Sequence, residues 1–493
     1  MADITKIVLP NGNEYNFKDS GAARSNLGIS GAAVGEAVVV ASVDAQGHPT
    51  SYDTINVIVP LSIAVTTQPT KTSYEVGDSF DPTGMVVTLT MSDGSTRTVD
   101  NSDLTFSPAT FTAENAQTIV TVTYHSGYYT LTTTLTVTVN EATAGGIYGV
   151  SWDGTSTTSW TRTDDAALFT DPVPYVLNAT NYGSPFDTIS PWQDMTIVED
   201  AEAGMMVKIP KFWYLLEQDG AGMNIKISPT EQTGYAVCPA CMDRGDGHGE
   251  RDYVLVGRYH CGDGSNSTTA YKSVTGVLPK TTITRPAART AIHELGTNVW
   301  QWDWATRFTI WLLYLVEYAN WNSQATLGYG CGNDSSPQAV GASDSMPYHT
   351  GTMRANKTTY GVGVQYRHIE GLWDNVRDWL DGCYNASSGL NIILNPANFS
   401  DSTGGVSVGT PSFGFPSAFT VHNESGTYPV FIPSEANGSD LTYSADEWRF
   451  NQHSPCVLCG GSYSRDYLNG LFCFFCFGVG EAFGSISSRS IKL

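Results

Sequence analysis

Three Cys-x-x-Cys spacings offer the first chemistry in this chain: Cys238/Cys241, Cys456/Cys459 and Cys473/Cys476. Two such pairs can build a zinc knuckle, and Cys238/Cys241 is followed by His248, His260 and Cys261. Cysteine also packs as a small hydrophobe. The total of nine cysteines is odd, and the start, Met1 to Tyr15, has no apolar core of signal-peptide length. A full disulfide framework is therefore not expected, buried free thiols are, and no metal or cofactor is called for. Cys473 and Cys476 sit within Phe472-Cys473-Phe474-Phe475-Cys476-Phe477, with no neighbouring polar group to act as base. A thiol in that setting is a poor nucleophile. The nine histidines are scattered, none paired at helical spacing. Catalysis is not the expectation.

Binding is. The last part of the chain, residues 460–493, places Tyr463, Ser464, Arg465, Asp466, Tyr467, Asn469, Phe475, Phe477, Phe483 and Ser485 in a Gly/Ser-rich setting. Rigid aromatic anchors beside adaptable polar groups and an Arg are the composition of evolved binding surfaces. An ordinary core strand would explain Leu471, Phe472, Phe474 and Ile486 but not Ser464 to Tyr467. Gly460, Gly461, Gly470, Leu471, Phe472, Ile486 and Arg489 therefore read as scaffold, with ligand readout between them.

What positions this segment is a multidomain, β-rich chain. Its 493 residues exceed one small core. Only 15% are charged, 25 Lys and Arg against 48 Asp and Glu, for a net charge of −23. Nucleic-acid binders gain affinity from clustered cations, so nucleic acid is excluded as a partner. The most apolar run, Phe308 to Val316, is about half the roughly twenty residues of a membrane helix. No membrane insertion is expected, and the missing leader implies synthesis in a cytoplasm.

Residues 1–58 read as a small head. Ile4, Ile7, Val8 and Leu9, then Pro10-Asn11-Gly12-Asn13, then Tyr15 and Phe17 predict a β-hairpin. This opening resembles that of tailed-phage virion appendage proteins, which implies attachment to other tail proteins. Residues 59–142 are all-β. Met85, Val87, Leu89 and Met91 alternate with polar or smaller residues, as do Val120, Val122 and Tyr124, and Leu135, Val137 and Val139. Period two puts one face in a core, and several such strands make a sandwich. With Tyr74 to Asp78, Phe80 to Met85 and Ser92-Asp93-Gly94-Ser95, the stretch resembles bacterial Ig-like domains, which implies a spacer. After a short linker, residues 147–493 show one clear helix, Trp304 to Asn320, with Phe308, Trp311, Leu312, Leu315 and Tyr318 on one stripe.

The string Gly371-Leu372-Trp373-Asp374-Asn375-Val376-Arg377-Asp378-Trp379-Leu380-Asp381-Gly382 resembles the signature of the formylglycine-generating-enzyme branch of the C-type lectin fold. That implies an α+β C-type lectin domain over 147–493, preceded by the Ig-like sandwich and the N-terminal hairpin region. Trp373 and Trp379 read as anchors, and Asp374, Asn375 and Asp378 as groups that satisfy backbone in turns. The copper-binding cysteine pair and histidine iron site of enzyme relatives have no counterpart, nor do the calcium-lectin tripeptides. Residues 460–493, with Gly460-Gly461, Gly470-Leu471-Phe472 and Ile486-Ser487-Ser488-Arg489, resemble the variable region of proteins diversified by a retroelement. Such diversification yields codons that exclude Lys, Glu, Gln, Met and Trp, and between Ser462 and Ser488 only Glu481 departs from that set. The resemblance implies a phage tail or tail-fibre receptor-binding protein, borne on the virion, that binds a bacterial surface protein or glycan. Avidity favours a homo-oligomer, with a trimer expected. The alternatives are a formylglycine-generating or other metal-dependent enzyme, and a purely structural fibre.

Overall fold

Alternation builds the first unit. The computed structural model describes residues 6–8, 14–16, 36–45, 49–56, 58–75, 78–113, 115–126, 129–140, 146–264, 268–330, 335–354, 363–451, 454–464 and 470–493. It divides into two units, Met1–Ala144 and Gly145–Leu493. In the first, Lys6–Val8 pairs antiparallel with Glu14–Asn16, as the hairpin reading expects, with Ile7 opposite Tyr15. A second hairpin, Glu36–Val43 with Pro49–Asn56, was not foreseen.

The Ig-like stretch forms two sheets. One orders Ser73–Glu75, Tyr129–Asn140, Asn115–Ser126 and Leu104–Ser107; the other orders Pro60–Thr67, Val86–Met91 and Thr96–Val99. Val87, Leu89, Val120, Val122, Val137 and Val139 all point into one core. The turn after Met91 closes because Asp93 Oδ1 accepts from the Ser95 amide at 2.9 Å while Gly94 takes φ +81°. That conformation is costly for any residue with a Cβ.

The second unit is mostly short strands around few helices. The Trp304–Tyr318 helix starts at Asp303, whose carboxylate accepts from the Thr306 amide at 2.9 Å. It ends where Ala319 turns left-handed at φ +48°. All its residues are buried, not only the expected stripe. A helix apolar nearly all round belongs inside a core. Its two charged residues are bonded in place: Glu317 pairs with Arg367 at 2.6 Å, and Arg307 donates to the Leu372 carbonyl at 3.2 Å.

A further helix, Arg285–His293, is capped by Thr284 and buries Arg285 against Asp401. Among the described residues no helix is long and apolar enough to cross a membrane.

Two five-stranded sheets take in the C-terminus. Ser490–Lys492 lies between Tyr253–Gly257 and Val299–Gln301. The other sheet orders Trp448–Arg449, Phe474–Phe477, Cys456–Cys459, Arg377–Leu380 and Ile486–Ser487. Ser490–Lys492 is thus an inner strand of the first sheet and Ile486–Ser487 an edge strand of the second.

Candidate functional site

The Gly371–Gly382 motif is the platform under the C-terminal segment. Leu372, Trp373, Val376, Trp379 and Leu380 are buried, and the indoles of Trp373 and Trp379 donate to the carbonyls of Gly328 and Ile283. Asp374 Oδ2 accepts from the amides of Gly363 and Val364. Asn375 exchanges two bonds with the Gln338 backbone, and its own carbonyl accepts from the Tyr463 amide at 2.8 Å. Asp378 departs from the turn role expected of it. It lies on the Arg377–Leu380 strand, and its carboxylate faces Arg489 Nε at 3.4 Å and His260 Nε2 at 3.6 Å. A strand has no free turn amide to satisfy, so the buried cation takes its place.

Arg489 ties the end of the chain down. It donates to the carbonyls of Gly257, Arg258 and Glu370 at 2.7, 2.9 and 2.7 Å. The Leu471 carbonyl accepts from the Trp311 indole at 2.9 Å and from Arg307. Two glycines are forced by close approach. A Cβ on Gly460, at φ +76°, would stand 2.6 Å from the Leu372 carbonyl oxygen, and one on Gly470 would stand 1.8 Å from Asp446 Oδ1. Asp446 cannot step aside, because its other oxygen accepts from the Phe472 amide at 2.7 Å.

Between these ties the segment turns outward. Ser464 is exposed, Tyr463, Phe477 and Ser485 are partly exposed, and Phe483 is 43% exposed. Phe477 and Phe483 meet edge-on at 5.4 Å, and the Tyr463 hydroxyl reaches the Cβ position of Gly484 at 3.9 Å. Phe477 and Phe483 therefore share one face, and the Tyr463 hydroxyl lies beside Gly484, the residue next to Phe483. Val479, 41% exposed on the intervening turn, is an addition that sequence reasoning missed. Arg465, Asp466, Tyr467 and Asn469 lie outside the described residues.

Phe475 is a correction. It is only 4% exposed, packed with Trp379, Cys456, Leu458, Cys473 and Ile486 in a small second core, with the Arg377 guanidinium 4.1 Å from its ring centre. Phe475 shares its side of the strand with Phe477 but lies inside that small core, whereas Phe477 sits at its rim.

The thiols are packed away. All cysteines among the described residues are free and buried. Burial pushes Cys476, Cys456 and Cys459 up to about 12, and Cys473 well above the ordinary thiol range. Among the described residues no three His, Cys, Asp or Glu side chains gather as metal ligands.

A second polar cluster was invisible in sequence. Asp187 accepts from Tyr348 at 2.7 Å, and lies 3.0 Å from both His349 Nε2 and Arg367 Nη2. Burial pushes its carboxyl up, but the bonds from His349 and Tyr348 and the Arg367 charge outweigh that and hold it at about 2. His368 stands 5.4 Å from His349, ring to ring, and is pushed down to about 3, chiefly by burial. Both His349 nitrogens are engaged, the second with Thr350 at 2.8 Å. Through the Arg367–Glu317 pair the cluster stitches the helix to its neighbours. Tertiary approach of residues far apart in the chain leaves no spacing signal.

No curated protein matches the chain. The family model for the bacterial Ig-like domain (group 3) matches residues 67–139, the stretch whose two sheets share the valine-rich core. Residues 67–139 of this chain are a bacterial Ig-like domain.

Proposed function

We propose that this chain is a receptor-binding protein of a tailed bacteriophage, whose C-terminal unit is a C-type-lectin-type domain of the formylglycine-generating-enzyme branch displaying a retroelement-diversified face to the bacterial surface. The supporting observation is the division within residues 460–493. Gly460, Gly461, Gly470, Leu471, Phe472, Ile486 and Arg489 are buried, while Tyr463, Ser464, Phe477, Phe483 and Ser485 reach the surface between them. A face that tolerates exchange of its side chains needs its backbone fixed from below. The donors from Arg307, Trp311 and Arg489 supply that fixing.

The mechanism is binding without turnover. Tyr463, Phe477 and Phe483 give rigid contact area at low entropic cost, and Ser464 and Ser485 give adaptable hydrogen bonds. The Ig-like domain spaces the face from an N-terminal virion attachment, and several copies, three in the expected trimer, raise avidity.

The test is genomic and functional. The locus should carry a second copy of the region encoding residues 460–493, differing mainly at adenines, beside a reverse-transcriptase gene. Purified protein should adsorb to host cells, and Tyr463→Ala with Phe483→Ala should abolish adsorption. A locus with no second copy removes the diversification, and unchanged adsorption of the double variant removes the face.

A further inference from the structure

A cleft of about 490 Å³ opens beside the C-terminal end of the Trp304–Tyr318 helix, lined among others by Trp160, Arg162, Phe169, Asp171, Tyr318 and Asn320. That volume is within the range that holds a small molecule. None of these residues belongs to the face described above, so the cleft stands on separate observations.

Arg162 is its chemical centre. The residue lies on the edge strand Thr161–Asp164, and its side chain is 8% exposed. One guanidinium nitrogen donates to the Val316 carbonyl at 2.9 Å, and another to Asp171 Oδ1 at 3.3 Å. A guanidinium offers five N–H donors, and these bonds leave donors to spare. Its carboxylate partner is poorly held: Asp171 is 92% exposed, and an ion pair to so solvated a group is weak. The buried carboxylate of Glu317 is already committed to Arg367 and Tyr366.

Burial works against the Arg162 charge, and a buried cation is stable only when fully paired. A buried cation with donors to spare, set beside the rings of Trp160, Phe169 and Tyr318, matches one ligand chemistry: a carboxylate carried on a flat apolar body. Arg takes such a group bidentately.

We propose that this cleft is a binding site for small aromatic or alicyclic carboxylates, with Arg162 receiving the carboxylate and Asp171 acting as a tethered competitor that swings into solvent when the ligand enters.

The test uses the full chain and benzoate, with benzyl alcohol as the uncharged control, titrated by ligand-observed NMR. Benzoate is expected to bind about tenfold more tightly than benzyl alcohol, the worth of a charge-assisted pair. Asp171→Asn is expected to tighten benzoate about threefold and leave benzyl alcohol unchanged, since an exposed ion pair is worth no more than that. Arg162→Gln is expected to abolish the preference for benzoate. Because Asp171 is exposed, its variant folds and keeps the proposal decidable even if Arg162→Gln does not. Equal affinity for the two probes, no benzoate binding, or unchanged or weaker benzoate binding in Asp171→Asn would each overturn it.

Discussion

Phe475 and Phe483 stand eight positions apart in one aromatic segment and have opposite fates. Phe475 is sealed between Trp379 and Ile486, and Phe483 looks outward beside Phe477. Phe475→Ala is expected to cost about 3–5 kcal/mol, the usual result of emptying a packed aromatic site. Phe483→Ala should stay within about 0.5 kcal/mol, as exposed substitutions do. Urea unfolding of the two variants measures both, and a reversed ranking would place the readout in the wrong residues. Gly470→Ala tests the scaffold at the same scale. Its Cβ would collide with an Asp446 carboxylate that is fixed by the Phe472 amide. Overpacking of this kind costs about 1–3 kcal/mol, which should appear as a lowered melting temperature.

At the scale of elements, three of the buried carboxylates around the face are held well above the usual carboxylate range. Burial raises Asp378 to about 6, Asp374 to about 7 and Asp446 to about 8, against opposing bonds from backbone amides and arginines. Each folded value lies above the unfolded one, so these groups add stability that is complete near pH 4 and lost as pH rises through 6 to 8. His368, pushed down to about 3, acts oppositely and loses stability as pH falls below about 6.5. Above pH 6.5 only the carboxylates act in this set. The second unit should therefore lose about 3 kcal/mol between pH 6.5 and 8, roughly 1.4 per pH unit for each group still titrating. Asp446→Asn keeps an acceptor for the Phe472 amide and should flatten that slope. Melting curves across this window check it, and an unchanged slope in the variant would remove Asp446 from the account.

The same elements show what the sequence could reveal. The Val86–Met91, Asn115–Ser126 and Tyr129–Asn140 strands are long enough for period two to register, and their buried valines fall where alternation puts them. The Trp304–Tyr318 helix was plain for the same reason. The Arg285–His293 helix had a Thr cap and a Pro in its first turn, but its buried side is Arg285, Ala288 and Ile292. An arginine facing inward hides an apolar stripe. Strands of two to five residues in the second unit, such as Ile486–Ser487 and Cys456–Cys459, are too short to carry any period. Within the site, the glycines and Arg489 were legible as scaffold. Phe475 was not, because nothing local tells the inside of a small core from its rim.

Among the described residues, each unit has apolar clusters of its own. The sandwich core runs from Ile63 to Val139 and the large aromatic core from Tyr148 to Ile491, with no residue in common. Each unit then satisfies its own burial, and cooperativity ends where a shared core ends. Residues 145–493 produced alone should fold and melt at the temperature of the second transition of the full chain. Calorimetry of both proteins measures this. The same fragment should still bind the bacterial surface, because Tyr463, Phe477 and Phe483 and all their ties lie within it. It should bind more weakly by about 100-fold or more if oligomerisation belongs to the N-terminal part, since avidity multiplies single-site affinity by that order. Equal adsorption by fragment and full chain would place the oligomer contacts in the second unit itself, and a fragment that fails to fold would refute the independence of the two cores.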